Sequence, residues 1–131
     1  MLFILPLILM RYVDGYVLAV PTKNLTNYKK MATDAGKIWI KHGALQYVEC
    51  VADDIKRQEW MELTFKDTVK AKKGETVVFA FVIYKSRKHR DQVNKKVMAD
   101  SAMGDPGTEM PFDMKRMAYG GFEMLVDLTN A

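Results

Sequence analysis

The chain is poor in the residues that most often identify a cofactor or metal site. It has one cysteine, Cys50, among 131 residues, and only two histidines. A single cysteine excludes an internal disulfide, and no Cys/His cluster has zinc spacing, so we predict no metal site. No Gly-rich phosphate-binding pattern precedes a predicted helix. No residue pattern requires haem or flavin, although none excludes haem, and we therefore expect no cofactor. We also expect a reducing, cytoplasmic setting.

Hydrophobic runs long enough to span a bilayer are also absent. Residues 1–10 are apolar and uncharged, but the run is too short for a membrane span and lacks the features of a secretory signal. We interpret Met10 as the natural start and residues 1–9 as an extension that is not native. The alternative is a genuine apolar arm that packs on a partner. Residues 10–131 predict a single domain with no membrane association.

Positive charge exceeds negative charge by four, and much of the excess lies in one segment, residues 85–96. Such a segment can indicate binding to nucleic acid or to an anionic surface. This one has no interleaved aromatic residues, and Asp91 dilutes its charge. We therefore expect a solvated helix face and no nucleic-acid partner.

Four segments have the alternation or β-branched composition of strands: residues 11–20, 44–51, 76–84 and 117–126. The third is apolar on both faces, so we expect it at the centre of a sheet. Between the second and third, a short extra strand is predicted at residues 63–69.

Two further segments have the apolar spacing of helices. The first ends near residue 41 and has Asn24 or Thr22 as its N-cap. The second covers residues 87–98, with Val93 and Val97 inward and the basic residues outward. The order strand, helix, strand, strand, helix, strand predicts an α+β fold of the ferredoxin-like type with an antiparallel sheet.

The alternation of side chains along the predicted strands places most of the aromatic and ionisable side chains on one face of the sheet. It collects Asp14, Tyr16, Tyr47, Glu49, Phe79, Phe81, Ile83, Tyr119 and Glu123. A face so rich in aromatic and ionisable groups should not lie bare in water, so we expect a second copy to cover it, sheet against sheet. The nine side chains would then line a cavity between the two sheets of a homodimer.

Three of these residues are candidates for catalysis: Glu49 or Glu123 as the general base and Tyr119 as a hydrogen-bond donor. Burial among aromatic rings would raise the pKa of a carboxyl group, as acid–base catalysis requires. The predicted ligand-binding residues are Asp14, Tyr16, Tyr47, Phe79, Phe81 and Arg116. The opposing interpretation is that the carboxylates pair with Arg116, Lys115 or Arg11 and only stabilise the dimer.

Other reactive side chains have simpler explanations. His42 precedes Gly43 at a predicted helix end and should interact with that end rather than act as an acid or base. Cys50 is predicted to be a buried, inert thiol. The pair Gly120-Gly121 indicates a bulge or a close approach of the backbone rather than a phosphate loop.

Five stretches of the sequence resemble one known family: RYVDGYVLAVP, HGALQYVEC, ETVVFAFVIYKS, RDQVNKKVM and MPFDMKRMAYGGFE. They are similar to the YbaA-like family of small uncharacterised bacterial proteins. The resemblance implies a dimeric α/β-barrel of the ferredoxin-like group, and no settled activity. The expected function is binding of a small molecule in the cavity between the sheets. The alternatives are a cofactor-independent monooxygenase-like or isomerase-like enzyme acting on an aromatic or polyketide-like compound, and a structural or regulatory dimer without catalysis.

Overall fold

A computed structural model describes residues 10–104 and 108–130 of the chain. The strands are β1 (Tyr12–Pro21), β2 (Gln46–Val51), β3 (Glu75–Tyr84) and β4 (Ala118–Glu123). The helices are α1 (Leu25–Lys41), the single turn α2 (Phe65–Thr68) and α3 (Arg87–Met98), with short 3₁₀ turns at Thr22–Asn24, Ser101–Met103 and Met114–Arg116. The predicted N-terminal extension lies outside the described residues.

The four strands form one antiparallel sheet in the order β2-β3-β1-β4. This order and the two crossing helices confirm the predicted α+β, ferredoxin-like fold. Strand β3 is central, as its apolar composition on both faces predicts. Strands β2 and β4 are the edges of the sheet.

The face of the sheet that packs against α1 and α3 holds the larger part of the core. Leu18 and Val20 of β1 meet Tyr28 and Ala32 of α1 there. A second group around Tyr84 packs against Val93 and Val97 of α3, which are buried as predicted, together with Tyr12 and Val82.

Helix α1 begins without the predicted side-chain cap. Asn24 makes no capping bond, and its amide instead donates to the carbonyl oxygen of Pro111 at 3.0 Å. Thr22 lies in the 3₁₀ turn that precedes the helix. The other end matches the prediction, since Gly43 has φ of 111°, a conformation that favours glycine.

The segment between β2 and β3 differs from its prediction. Residues 63–69 do not form a strand, because Thr64 and Asp67 make a capping box that starts the one-turn helix α2. Val69 follows this turn and is 2% exposed, packed against Ala19 and Val77 on the face opposite the helices. The connection therefore covers one end of that otherwise open face.

Strand β4 is shorter than predicted and ends at Glu123. Its Gly121 shows the close approach that the double glycine indicates, since a Cβ atom there would collide with the ring of Tyr12. Beyond the strand, Arg11 holds Asp127 through two hydrogen bonds of 2.7 Å. No helix within the described ranges is long and apolar enough to cross a membrane.

Candidate functional site

The register of the strands corrects the predicted composition of the functional face. Residues directly opposite one another in an antiparallel pair point to the same side of the sheet. Tyr16 lies opposite Ala80, so Phe79 and its alternate neighbours Phe81 and Ile83 point to the other side. The prediction that all nine side chains share a face is therefore wrong for these three.

The remaining six predicted residues do share a face, but it is the face that carries the helices. Asp14 and Glu49 lie beneath α3 and α1, in contact with Arg90 and Tyr28 of those helices. The prediction that these groups line a cavity between two sheets is wrong for this reason. Any site they form lies between the sheet and the helices of a single chain.

Glu49 is the centre of a cluster of three side chains. The Tyr28 hydroxyl on α1 donates to its Oε1 atom, and the Tyr47 hydroxyl donates to Oε2 at 2.7 Å. Burial, followed by the hydrogen bond to Glu49, raises the pKa of both phenols well above its usual value. Both phenols therefore stay protonated and keep their protons directed at the carboxylate.

The position of Tyr47 depends on a glycine in α1. A Cβ atom at Gly36 would lie 2.6 Å from Cδ1 of Tyr47, so only glycine lets the ring pass so close to the helix. On the other side, the Trp39 ring centroid is 6.0 Å from that of Tyr47. These neighbours fix the ring and aim its hydroxyl at Glu49.

The cluster lies on the wall of an open groove of about 700 Å³ between α1 and the edge strand β2. A volume of this size is typical of sites for small organic ligands. The groove is mainly apolar, with Leu25, Ala32, Ile40, Val51 and Val78 among its lining residues. Lys29 and Lys37 of α1 also line it, and Glu49 is the acidic residue of the lining.

A second polar cluster surrounds Asp14, which is completely buried. Nη1 of Arg90 donates to Asp14 Oδ1 at 2.7 Å and to the Tyr119 hydroxyl at 3.0 Å. The guanidinium also lies 4.9 Å from the centroid of the Tyr12 ring, a cation–π arrangement. Asp14 Oδ2 has no hydrogen-bond partner among the described residues.

Tyr16 lies between the two clusters. Its ring centroid is 5.0 Å from that of Tyr119, and burial, followed by the charge of Asp14, raises the pKa of its phenol. In the strand register, Glu49, Ala80, Tyr16 and Tyr119 form one row across the sheet. Between Glu49 and Tyr16, this row carries only the methyl group of Ala80.

The predicted catalytic trio is not brought together. Glu49 and Tyr119 stand three strands apart in their row, roughly 14 Å at the usual spacing of strands. Glu123 lies opposite Tyr12 at the end of β4 and is exposed. A single pocket containing Glu49, Glu123 and Tyr119 is therefore excluded by the geometry, and Glu49 is the member that lines a groove.

Arg116 is engaged in holding two loops together. Its two terminal nitrogens donate to Glu75 at 2.7 Å each, and Nε donates to Asp113 at 3.1 Å. Nη1 also donates to the Lys70 carbonyl at 3.0 Å. The hydrogen bond from Arg116 lowers the pKa of Glu75 to about 2. This geometry gives Arg116 a structural role within the chain, in place of the predicted contact with a ligand or with the carboxylates of the predicted site.

The structure also shows the surroundings of His42 and Cys50, the other two reactive side chains considered in the sequence. His42 Nε2 lies 2.7 Å from Oδ2 of Asp100, whose pKa is lowered to about 2 by the Ala102 amide and then by His42. Cys50 is exposed, and the prediction that it is buried is wrong because β2 is an edge strand. Within the described residues, no three His, Cys, Asp or Glu side chains are grouped closely enough to hold a metal ion.

The sequence interpretation missed the partners that the helices supply. The prediction that all basic residues of α3 point outward is wrong for Arg90, whose side chain is only 13% exposed. Asn94, one turn further on, accepts hydrogen bonds from Trp39 and Tyr84 at 3.1 Å each. The signal was present, because Arg90, Val93, Asn94 and Val97 have the i, i+3, i+4, i+7 spacing of one helix face.

Comparison with known proteins shows the family. The model of a protein family of unknown function, DUF1428, matches residues 11–114. The uncharacterised protein YbaA of Escherichia coli strain K12 is 44% identical over 118 residues, which cover 90% of this chain and 99% of that protein. The YbaA protein of Shigella flexneri matches with the same identity and coverage. The chain belongs to the DUF1428 family, and the predicted resemblance to YbaA is confirmed.

Proposed function

We propose that this protein binds a small molecule in the groove between α1 and β2, with Glu49 as the polar anchor of the site. The observation that carries the proposal is the position of this carboxylate on the wall of an apolar groove of about 700 Å³. Ligand sites typically combine an apolar lining with a few fixed polar groups. Here Tyr28 and Tyr47 fix the polar group.

The anchor has capacity for a ligand. Each carboxylate oxygen can accept two hydrogen bonds, and each oxygen of Glu49 receives one from a tyrosine. A hydroxyl or N–H group of a ligand can therefore donate to Glu49 without displacing either phenol. Such a bond to a charged acceptor is stronger than one between neutral groups.

The proposal is tested with 2-naphthol, a flat apolar probe that has one hydroxyl donor and intrinsic fluorescence. We expect saturable binding to the unchanged protein and a loss of about tenfold in affinity in Glu49→Gln, because a hydrogen bond to a charged group contributes about 1.5 kcal/mol or more. Binding that is absent, or that is equal in the variant, contradicts the proposal.

A blocking variant locates the probe. Thr33 is exposed and lines the groove, so Thr33→Trp should occlude the groove without disturbing the core. Asp34→Trp places the same ring next to it on α1, outside the groove lining, and is the matched control. We expect only the first variant to abolish binding of 2-naphthol.

The same cluster supports a second candidate, a cofactor-independent enzyme that moves a proton on an aromatic or polyketide-like compound. Glu49 would remove a proton from carbon. As the carboxylate takes up that proton, the single O–H of Tyr28 or Tyr47 would turn from Glu49 to the substrate oxygen that becomes negative. The raised pKa of both phenols keeps that O–H protonated. Exchange of the acidic protons of 2-tetralone for deuterium, followed by NMR, should be faster with the unchanged protein than with Glu49→Gln. Equal rates would remove this candidate.

We also propose that the open face of the sheet binds a second copy of the chain. In the described strands this face has one charged side chain, Glu75 at the start of β3, and its carboxylate is paired with Arg116 at 2.7 Å. Ala19 and Val77 at the same end are covered by Val69. The rest of the face is uncharged and consists of Val13, Gly15, Val17, Gln46, Val48, Cys50, Phe79, Phe81, Ile83, Ala118, Gly120 and Phe122. Phe79 is 45% exposed and Phe122 is 62% exposed. This uncharged, aromatic part of the face can meet its own copy without repulsion between like charges, and its burial is favourable.

Sedimentation tests the dimer. Phe79→Asp places a charge in the middle of the open face and should shift the protein from dimer to monomer. Met98→Asp changes an exposed apolar residue at the end of α3 and should leave the dimer intact. A monomer in the unchanged protein, or a dimer that survives Phe79→Asp, contradicts this interface. A dimer that binds neither naphthol nor tetralone would favour the structural or regulatory alternative.

A further inference from the structure

We infer that the ligand of the α1–β2 groove carries an anionic group, which Lys29 and Lys37 bind while Glu49 holds its hydroxyl or N–H donor. The inference rests on the proposed binding function of the groove. It names the chemical class of the ligand as a flat, apolar hydroxy acid.

The first observation is the arrangement of α1. Lys29, Thr33 and Lys37 are spaced four residues apart, so they form a ridge along one side of the helix, and all three line the groove. The apolar lining residues Leu25 and Ala32 follow a neighbouring stripe of the same helix. The groove therefore has a basic rim beside an apolar wall.

The second observation is that the ammonium groups of the two lysines are unpaired in the described part of the chain. Neither forms a salt bridge there, whereas Lys30, one position from Lys29 and outside the groove, pairs with Asp34 at 3.1 Å. Glu49 is the acidic residue of the groove, and the Tyr28 and Tyr47 hydroxyls already donate to its oxygens. The positive charge of the rim is thus available to a ligand.

The dimensions suit a ligand with two separated polar ends. Eight residues of helix separate the lysines by about 12 Å along the axis, and their flexible stems let either ammonium reach a carboxylate at the mouth of the groove. The donor end of the ligand lies at Glu49, and the flat apolar body lies between. A carboxylate placed next to Glu49 instead would be repelled by it.

Four related probes separate the contribution of the hydroxyl donor to binding from that of the carboxylate. 2-Naphthol has only the donor, 2-naphthoic acid only the carboxylate, 6-hydroxy-2-naphthoic acid both, and methyl 6-hydroxy-2-naphthoate the donor with the charge removed. We expect the hydroxy acid to bind the unchanged protein about two- to thirtyfold more tightly than its methyl ester, the range for two exposed ion pairs. We expect this advantage to shrink in concentrated salt, because exposed ion pairs are screened.

Variants assign the effect to the rim. The double variant Lys29→Gln/Lys37→Gln should bind acid and ester equally, while the control Lys30→Gln should keep the preference for the acid. If the ester binds the unchanged protein as tightly as the acid, or if the preference survives in the double variant, the inference is wrong while 2-naphthol binding upholds the proposed function. If none of the four probes binds, the proposed function fails and the inference fails with it.

Discussion

Replacement of Gly36 by alanine should destabilise the protein, although the general rule for helices predicts the opposite sign. Gly36 is buried near the middle of α1, where alanine is ordinarily more favourable than glycine by about 1 kcal/mol. At this position, however, the added methyl carbon would lie 2.6 Å from Cδ1 and 2.8 Å from Cε1 of Tyr47. Carbon atoms pack best at about 3.5–4.0 Å, so either the ring or the helix has to move.

The surroundings of Tyr47 show that the clash outweighs the preference of the helix for alanine. The Tyr47 ring cannot move freely, because its hydroxyl is bonded to Glu49 at 2.7 Å and its face lies near Trp39. Overpacking of this kind costs about 1–3 kcal/mol. Tilting the ring also weakens a hydrogen bond to a charged group, which contributes about 1.5–3 kcal/mol. After the helix gain is subtracted, we expect a net loss of about 1–3 kcal/mol in the free energy of unfolding.

A double-mutant cycle measured by urea denaturation tests this reasoning. In a Tyr47→Ala background the obstacle is gone, so Gly36→Ala should stabilise the protein by about 1 kcal/mol. The sign of the alanine effect should therefore reverse between the two backgrounds. If Gly36→Ala stabilises the unchanged protein, or if it has the same effect in both backgrounds, the close contact does not hold Tyr47 in place.

Two other predictions concern ion pairs and are checked by the same denaturation assay. Asp14→Ala should lower the free energy of unfolding by about 3 kcal/mol, because it leaves Arg90 without its buried partner. Asp127→Ala should lower it by less than about 1 kcal/mol, because the Arg11–Asp127 pair is roughly a third exposed. Equal losses in the two variants would contradict the burial of Asp14. Glu75→Gln should destabilise the protein at neutral pH and have little effect near pH 2. The pKa of Glu75 is lowered from 4.5 to about 2 in the folded protein, so its stabilisation is present above pH 4.5 and is lost as the pH falls towards 2. A variant that remains equally destabilised at both pH values would refute this linkage.

The fold followed from the sequence because its signals were local and consistent. The order of strands and helices, the central position of β3 and the C-terminal end of α1 were all predicted from composition and spacing. The face of β3 could not be predicted in the same way. From Val77 to Tyr84 its sequence, VVFAFVIY, is apolar or aromatic at every position, so the alternation that reveals the inner face of other strands is missing. Only pairing with β1, which sets Ala80 opposite Tyr16, determines which residues share a face.

The predicted location of the candidate site is wrong for a second reason. Polar side chains were expected on the uncovered face, yet Asp14 and Glu49 lie beneath helices. Burial is tolerated there because Arg90 and Tyr28 supply hydrogen bonds from α3 and α1. These contacts join residues 21 and 76 positions apart in the chain. No pattern within a single strand or helix reveals such a pairing, although the inward spacing of Arg90 on α3 was a detectable hint.

Polar and apolar side chains are therefore distributed between the two faces of the sheet in an unusual way. Ordinarily an antiparallel sheet buries its apolar face and leaves its polar face in water. Here the carboxylates of Asp14 and Glu49 are covered by helices, while Phe79 and Phe122 remain exposed on the mainly apolar opposite side. Burying a carboxylate has a desolvation cost even when it is well paired, and exposing aromatic rings forgoes a favourable burial. Stability of an isolated chain alone would not favour this arrangement. It is favourable if the polar groups serve a ligand and the open face is buried against a second copy, which is why the naphthol and sedimentation experiments address the two faces separately.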